Sequence, residues 1–410
     1  MRRFASPSSA DRQPLPRGFS TIWTTVALDL VGFGIILPVL PLYARKFHAS
    51  PATIGVLVAS FSVAQLLCSP LWGRLSDRIG RKPVLIVSLV GTAAGSLLTG
   101  LAGGLVLLFL GRVVDGASGA SVSVAQASVA DLAEPSERAR LFGLLGAAFG
   151  LGFVLGPALG GVCSLVSPRL PFFVAAALAA VNAIVALRRL PETHPVESRR
   201  AADTDVTSAP DARAKLRVLS MPGVARLLAV SFLSLVSFSS FEATFSLFGN
   251  KRLGLTLSST YVLFTVIGVL IALDQVVLVP QAVARWGERG ALRAGLIINA
   301  AGLALLVGVH SLVGLVPSLL LLTAGQGLVT PTLSSAVAGQ APRRDRGRVL
   351  GVQQSVGGLA RVVGPVLGGL AFGRLGVWVP YGAGAVVLVG AVTLLAVGAR
   401  PGERVGPVPA

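Results

Sequence analysis

The chain contains twelve apolar stretches, each long enough to cross a bilayer, and only one long polar interval between them. A spanning helix needs about 20 consecutive apolar residues, and lipid admits only helices or closed barrels because no water is there to satisfy the backbone. By that measure the spans fall at 19–42, 52–72, 83–103, 105–130, 140–166, 170–189, 222–249, 258–283, 290–310, 313–338, 347–372 and 376–398. The expected fold is all-α and integral to a membrane. Composition agrees: 53% of the 410 residues are hydrophobic and 13% charged, against about a quarter charged in soluble domains. The formal charge of +18 does not point to nucleic acid, because the basic residues form short runs between apolar segments. Cys68 and Cys163 lie inside apolar segments without metal-like spacing, so no metal site is expected. The first apolar stretch is too long for a signal-peptide core, and no small-residue cleavage site follows it, so it is expected to remain as the first span.

The short loops carry a strong charge bias. Of the 35 Lys and Arg residues, 27 lie in the tails and even-numbered connections, six lie on the other side, and Arg112 and Arg361 lie within spans. The positive-inside rule then puts both termini and the central linker in the cytoplasm.

The two halves repeat. Shifted by 208 positions, 130–143 falls on 338–351, Gly156-Pro157 on Gly364-Pro365, and Gly160-Gly161 on Gly368-Gly369. Shifted by 207, RIGRK (78–82) falls on RWGER (285–289). Duplicated six-helix halves with a site between them near mid-membrane are a common transporter design. The expected organisation is a tail at 1–18, a bundle at 19–189, a linker at 190–221 ending in a short amphipathic helix, a second bundle at 222–398 and a tail at 399–410. No metallopeptidase motif, nucleophile–histidine–acid set or phosphate loop is visible, so no enzyme is expected and no cofactor.

GRLSDRIGRK, from Gly73 to Lys82, concentrates Arg74, Arg78, Arg81, Lys82 and Asp77 between two spans, with Gly73 and Gly80 at its bends. It resembles the signature loop of the major facilitator superfamily. LDLVGFGIILPVLP (28–41), GRVVDGASGA (111–120) and LFGLLGAAFGLGFVLGPALGG (141–161) resemble that family's drug:proton antiporter branch, in particular tetracycline-type efflux pumps. The resemblance spans the chain and is strongest in its first half. It implies a gate at the loop, in which Asp77 sits among Arg78, Arg81 and Lys82 or faces the start of the eleventh helix near Gly347, where anions are favoured. The second copy has Ala284 in place of the acid. Gly152, Gly156, Pro157, Gly160 and Gly161 match the antiporter motif of the fifth helix. Small residues allow close helix packing in lipid, Pro157 should bend the helix, and its counterpart on the eleventh helix should lie on the opposite seam.

Ionisable residues within spans are costly and usually functional. Asp29, Arg112, Asp115, Glu242 and Asp274 are the candidates for proton coupling, and the resemblance implies such parts for Asp29 and Arg112. Asp115 departs from the family, which usually has an uncharged polar residue there. Three positions from Arg112, it either carries the proton or neutralises the arginine. Glu242 with Phe238, Phe241 and Phe245, together with Gln126 and Gln275, are the candidates for substrate contact. Arg361 either anchors its helix or binds an anionic substrate group. The whole reads as a monomeric exporter of amphipathic small molecules in the cell membrane, driven by protons. A facilitator exporting an amino acid or sugar is the alternative; a transport-dead sensor would need none of the buried carboxyls.

Overall fold

The computed structural model describes residues 15–134, 137–194, 221–341 and 346–397. Most of the N-terminal tail, the bulk of the linker with its expected amphipathic helix, and the C-terminal tail lie outside the described residues.

Helix α1 (Phe19–Ile36) is prolonged past Pro38 by a short helix, Leu40–Arg45. There follow α2 (Pro51–Ile79), α3 (Arg81–Gly100), α4 (Leu105–Ala117, resuming as Ser121–Leu132), α5 (Arg138–Val166), α6 (Leu170–Arg189) and α7 (Pro222–Leu253). Helix α8 starts as Leu257–Leu273, passes through a π-helical turn, Asp274–Leu278, and runs into Val279–Val307. That last segment breaks at Gly287 (φ 69, ψ 170), so 279–286 completes α8 and 288–307 is α9. Helices α10 (Leu312–Gly339), α11 (Arg346–Arg374) and α12 (Val379–Val397) complete the fold. By length and apolarity eleven runs can cross a membrane, the longest of 51 residues; the break at Gly287 divides that one into two. Twelve spans result, as the apolar pattern predicts, and the described residues hold helices and no strands.

Local chemistry sets the starts and stops. Ser50 caps α2 by accepting from the Thr53 amide at 3.1 Å, with Pro51 in the first turn. Thr256 and Ser259 form a reciprocal capping box at the start of α8. Gly80, between α2 and α3, has φ 107 and ψ 161, and Gly287, its match in the repeat, adopts the same kind of conformation. Extended backbone at positive φ is essentially glycine-only, so the duplicated sequence produces the same turn twice.

Two corrections arise here. The fourth span, read as one helix over 105–130, is unwound at 118–120. Its freed backbone is satisfied by neighbours: Gln65 donates to the Gly119 carbonyl at 3.1 Å, Trp72 to Ala117 at 2.6 Å, and Ser88 both donates to the Ser118 carbonyl and accepts from the Ala120 amide. Broken helices are tolerated at membrane depth only where protein or a cavity supplies such partners. The second span also continues beyond 72 to Ile79, so much of the charged loop is helical.

Helices α1–α6 pack on one another, as do α7–α12, and the two groups meet along α2 against α11 and α5 against α8. The Gly-Pro segments of α5 and α11 thus lie on opposite seams. Contact is concentrated at the end away from the linker. Gly55 lies against the backbone of Pro365, and Gly369 against Pro51. Three hydrogen bonds cross there: Ser246 to the Pro38 carbonyl (3.0 Å), Tyr261 to the Ile35 carbonyl (3.1 Å) and Arg45 to Asn250 (3.1 Å). At the linker end Gly73, Gly143, Gly146, Gly150 and Gly351 have no neighbour within 4 Å of where a side chain would begin, and Leu67 and Leu71 are exposed. The halves are joined at the far end and splayed at the linker end.

Candidate functional site

The charged residues of the spans fall into separate groups in the two halves. In the first half they form one cluster around the break in α4. Arg112 and Asp115, 4% and 5% exposed, pair at 2.7 Å on successive turns. The guanidinium lies 4.4 Å from the centre of the Phe61 ring, a favourable place for a desolvated cation. Thr92 of α3 adds a hydrogen bond to Asp115. The Ser121 hydroxyl, where α4 resumes, donates to Asp29 of α1 at 2.5 Å, and Asp29 lies within electrostatic reach of Asp115. Two carboxyls and one arginine therefore share a small buried volume, where a proton on either acid changes the balance at the other. Gln126, one turn beyond Ser121, is half-buried.

The second half is arranged differently. Glu242 of α7 is half-buried and lies within electrostatic reach of Arg361 on α11, which is exposed. The aromatic residues expected around Glu242 face elsewhere. Phe245, 1% exposed, packs on Phe264, and Phe241, 3% exposed, packs on Tyr381. Both belong to the second half's core in this conformation. Phe238 is half-buried. Asp274 opens the π-helical turn of α8 beside Gly327 of α10, its Oδ2 buried with no hydrogen-bond partner. Gln275 is exposed. Asp274 joins neither of the other two groups.

The charged loop forms a third group at the linker end. Arg81 donates to Asp77 at 2.5 Å, to the Ser76 hydroxyl at 2.7 Å and to Asp131 of α4 at 3.0 Å. Glu192, just after α6, accepts from the backbone amides of Arg81 (2.9 Å) and Lys82 (3.3 Å), which caps α3. Asp77 is 50% exposed, and among the described residues its ion pair is with Arg81 of its own loop. Arg78 is exposed and Lys82 half-buried. Sequence reading missed Ser76, Asp131, Glu192, Ser121 and Thr92. Except for Ser76, which lies five positions from Arg81, their partners are distant in the chain.

On α5, Gly152 and Gly156 let α1 approach at Leu30 and Gly34, while Gly160 and Gly161 face the ring of Tyr261 from α8. Pro157 lies within the helix, between the two contacts. The antiporter motif thus packs within its own half at one end and across the seam at the other. Tyr261 is fully buried in that seam.

The sequence profile of the Major Facilitator Superfamily matches residues 22–279 and again 275–410. The chain belongs to this family. Its members are transporters rather than enzymes, so this is a multi-pass membrane transporter for a small-molecule substrate. Among its relatives is the class B tetracycline resistance protein of Escherichia coli, 33% identical over 346 residues that cover 83% of this chain and 84% of the relative. Multidrug resistance protein 2 of Bacillus subtilis (strain 168) is 29% identical over 91% of this chain and 93% of its own length. The crystal structure of the human organic anion transporter MFSD10 (TETRAN) is similar, with a TM-score of 0.72, 27% identity, and coverage of 93% of this chain and all of that one.

Proposed function

We propose that this transporter exports amphipathic, drug-like small molecules in exchange for protons, by alternating access. What carries the reading is the pairing of two features. The relatives similar along most of the chain are tetracycline and multidrug resistance proteins, and the spans here carry buried acids in two halves that meet most closely at one end. The excess of Lys and Arg at the linker end supports placing that end, with both termini, in the cytoplasm of a bacterial-type cell membrane. The described conformation is then inward-open, ready to receive substrate from the cytosol.

The chemistry follows from the first-half cluster. Asp115 is held by Arg112 and Thr92 and Asp29 by Ser121, and the two acids repel each other when both are charged. A rocking of the halves that alters solvent access at the break in α4 would change which acid holds a proton. Glu242 adds a carboxyl on the opposite wall, and Asp274 a further one outside both clusters. The loop from Gly73 to Lys82 acts as the cytoplasmic gate. When the halves close there, Asp77 exchanges part of its contact with Arg81 for the start of α11. Lipid surrounds a monomer in this reading, and the proton gradient is the only driving force required.

The test is transport in everted membrane vesicles with an imposed pH gradient, using tetracycline and ethidium as probes. Uphill accumulation of a probe should collapse when a protonophore is added, while exchange down a gradient continues. A facilitator would show equilibration without accumulation, and that result would remove the antiport reading.

A further inference from the structure

Two arginines lie well inside the spans, away from their ends, and the structure treats them oppositely. Arg112 is buried, paired with Asp115 at 2.7 Å and covered by the Phe61 ring. Arg361 is exposed, and among the described residues it takes part in no hydrogen bond or ion pair.

The contacts of α11 fix where Arg361 stands. Ala360 and Gly364 face Ser239 of α7, whereas Gly358 faces Leu66 and Pro365 faces Gly55, both on α2. With 100° per residue, position 361 falls on the arc between these two faces. That arc looks into the angle between α7 of its own half and α2 of the other. Contact between the halves runs from Pro365 against Gly55 down to Gly358 against Leu66 and is gone at Gly351, so Arg361 lies just above the level where the halves separate. The guanidinium therefore stands near the closed apex of the space between the halves. A helix anchor would instead sit near a membrane surface, and Arg361 is thirteen residues from the far end of α11.

Glu242 looks into the same space. Along α7, Ser239 contacts α11, Phe245 contacts α8 and Ser246 reaches the Pro38 carbonyl of α1. Glu242 falls between the α11 and α8 faces, on the side turned to the first half. It is close enough to Arg361 for mutual attraction, yet no hydrogen bond or salt bridge joins them. An anion and a cation are thus presented side by side, each with unused hydrogen-bonding capacity. A guanidinium fork matches a carboxylate or enolate, and a carboxylate matches an ammonium.

We propose that Arg361 and Glu242 form a subsite for zwitterionic substrates, Arg361 holding an anionic oxygen group and Glu242 a cationic nitrogen. The proposal rests on the export reading and narrows its substrate class. It also suits exchange, because a proton and the substrate's cationic group compete for Glu242 whereas Arg361 stays available throughout.

The test uses purified protein and one fluorescent scaffold in three charge forms: norfloxacin (zwitterion), its ethyl ester (cation) and its N-acetyl derivative (anion). Binding is followed by fluorescence anisotropy. Arg361→Gln should weaken norfloxacin and the N-acetyl form by about tenfold or more, the scale of a lost charge-assisted hydrogen bond, and leave the ester unchanged. Arg361→Lys should recover part of the loss. Glu242→Gln should show the complementary pattern, weakening norfloxacin and the ester but not the N-acetyl form. Unchanged ester binding in Arg361→Gln also shows that the variant is folded. Equal losses for all three forms, no loss for any, or failure of the wild type to bind the zwitterion would overturn the subsite. These outcomes are separate from the export reading, which stands or falls on accumulation of tetracycline or ethidium in vesicles.

Discussion

Asp115→Asn and Arg112→Gln, made singly, should each lower the stability of the purified transporter by about 3–5 kcal/mol, and the double variant should recover most of that loss. The two side chains are almost fully buried and joined at 2.7 Å. Removing one partner strands a charge on the other, whereas replacing both with neutral groups leaves no charge to solvate. Stranded Asp115 is partly relieved by Thr92. Stranded Arg112 keeps only the Phe61 ring and already has a buried Nε without a partner. Asp115→Asn should therefore be the worse of the two single changes. Thermal unfolding in detergent reads the stabilities, and vesicle transport reads the coupling. Proton-driven accumulation should stay lost in the double variant while downhill exchange returns. A double variant no more stable than the sum of the singles would show that the pair carries no coupling energy.

The second large effect is expected at the α5–α8 seam. Gly160→Val pushes a branched side chain into the Tyr261 ring and towards the Ile35 carbonyl, and both lie in the far-end closure. Overpacking of this kind costs about 1–3 kcal/mol, charged only to the state in which the far end is shut. The conformational equilibrium should move about tenfold or more towards the form open at that end. Trimming the obstacle with Tyr261→Ala in the same chain should restore part of the closed population. The reporter is the rate of far-end cysteine cross-linking between positions 45 and 250, which the Arg45–Asn250 hydrogen bond brings together. Cross-linking that is undiminished in Gly160→Val would show that the seam yields without opening.

Most of the architecture was legible because lipid enforces it. Apolar length alone located twelve spans, and the repeat aligns Gly80 with Gly287, which prove to occupy similar turns at φ 107 and φ 69. The Arg112–Asp115 pairing was open to local reasoning, since three positions on a helix bring side chains together. What stayed hidden depends on contacts between distant segments. The unwound turn of α4 is set by Gln65, Trp72 and Ser88 from two other helices, and nothing in its own sequence distinguishes it from a glycine-tolerant helix. Phe241 and Phe245 pattern like ligand-facing aromatics around Glu242. Only the positions of Tyr381 and Phe264 show that they are core. The anchoring of Glu192 on the start of α3 needs a side chain 111 positions away.

In alternating access the two halves rock about a site between them, opening one end as the other shuts. Pulsed electron–electron spin resonance tests it directly with labels in a cysteine-free background, Cys68 and Cys163 replaced by serine. One pair, at Leu71 and Gly351, reports the linker end, where both positions border open space. The other, at Lys46 and Lys251, reports the far end, where both side chains are exposed. In lipid nanodiscs, changing pH and adding a transported substrate should shift the two distance distributions in opposite senses, one shortening as the other lengthens. Distances that stay fixed, or that lengthen and shorten together, would contradict the rocking of the halves and the exchange mechanism built on it.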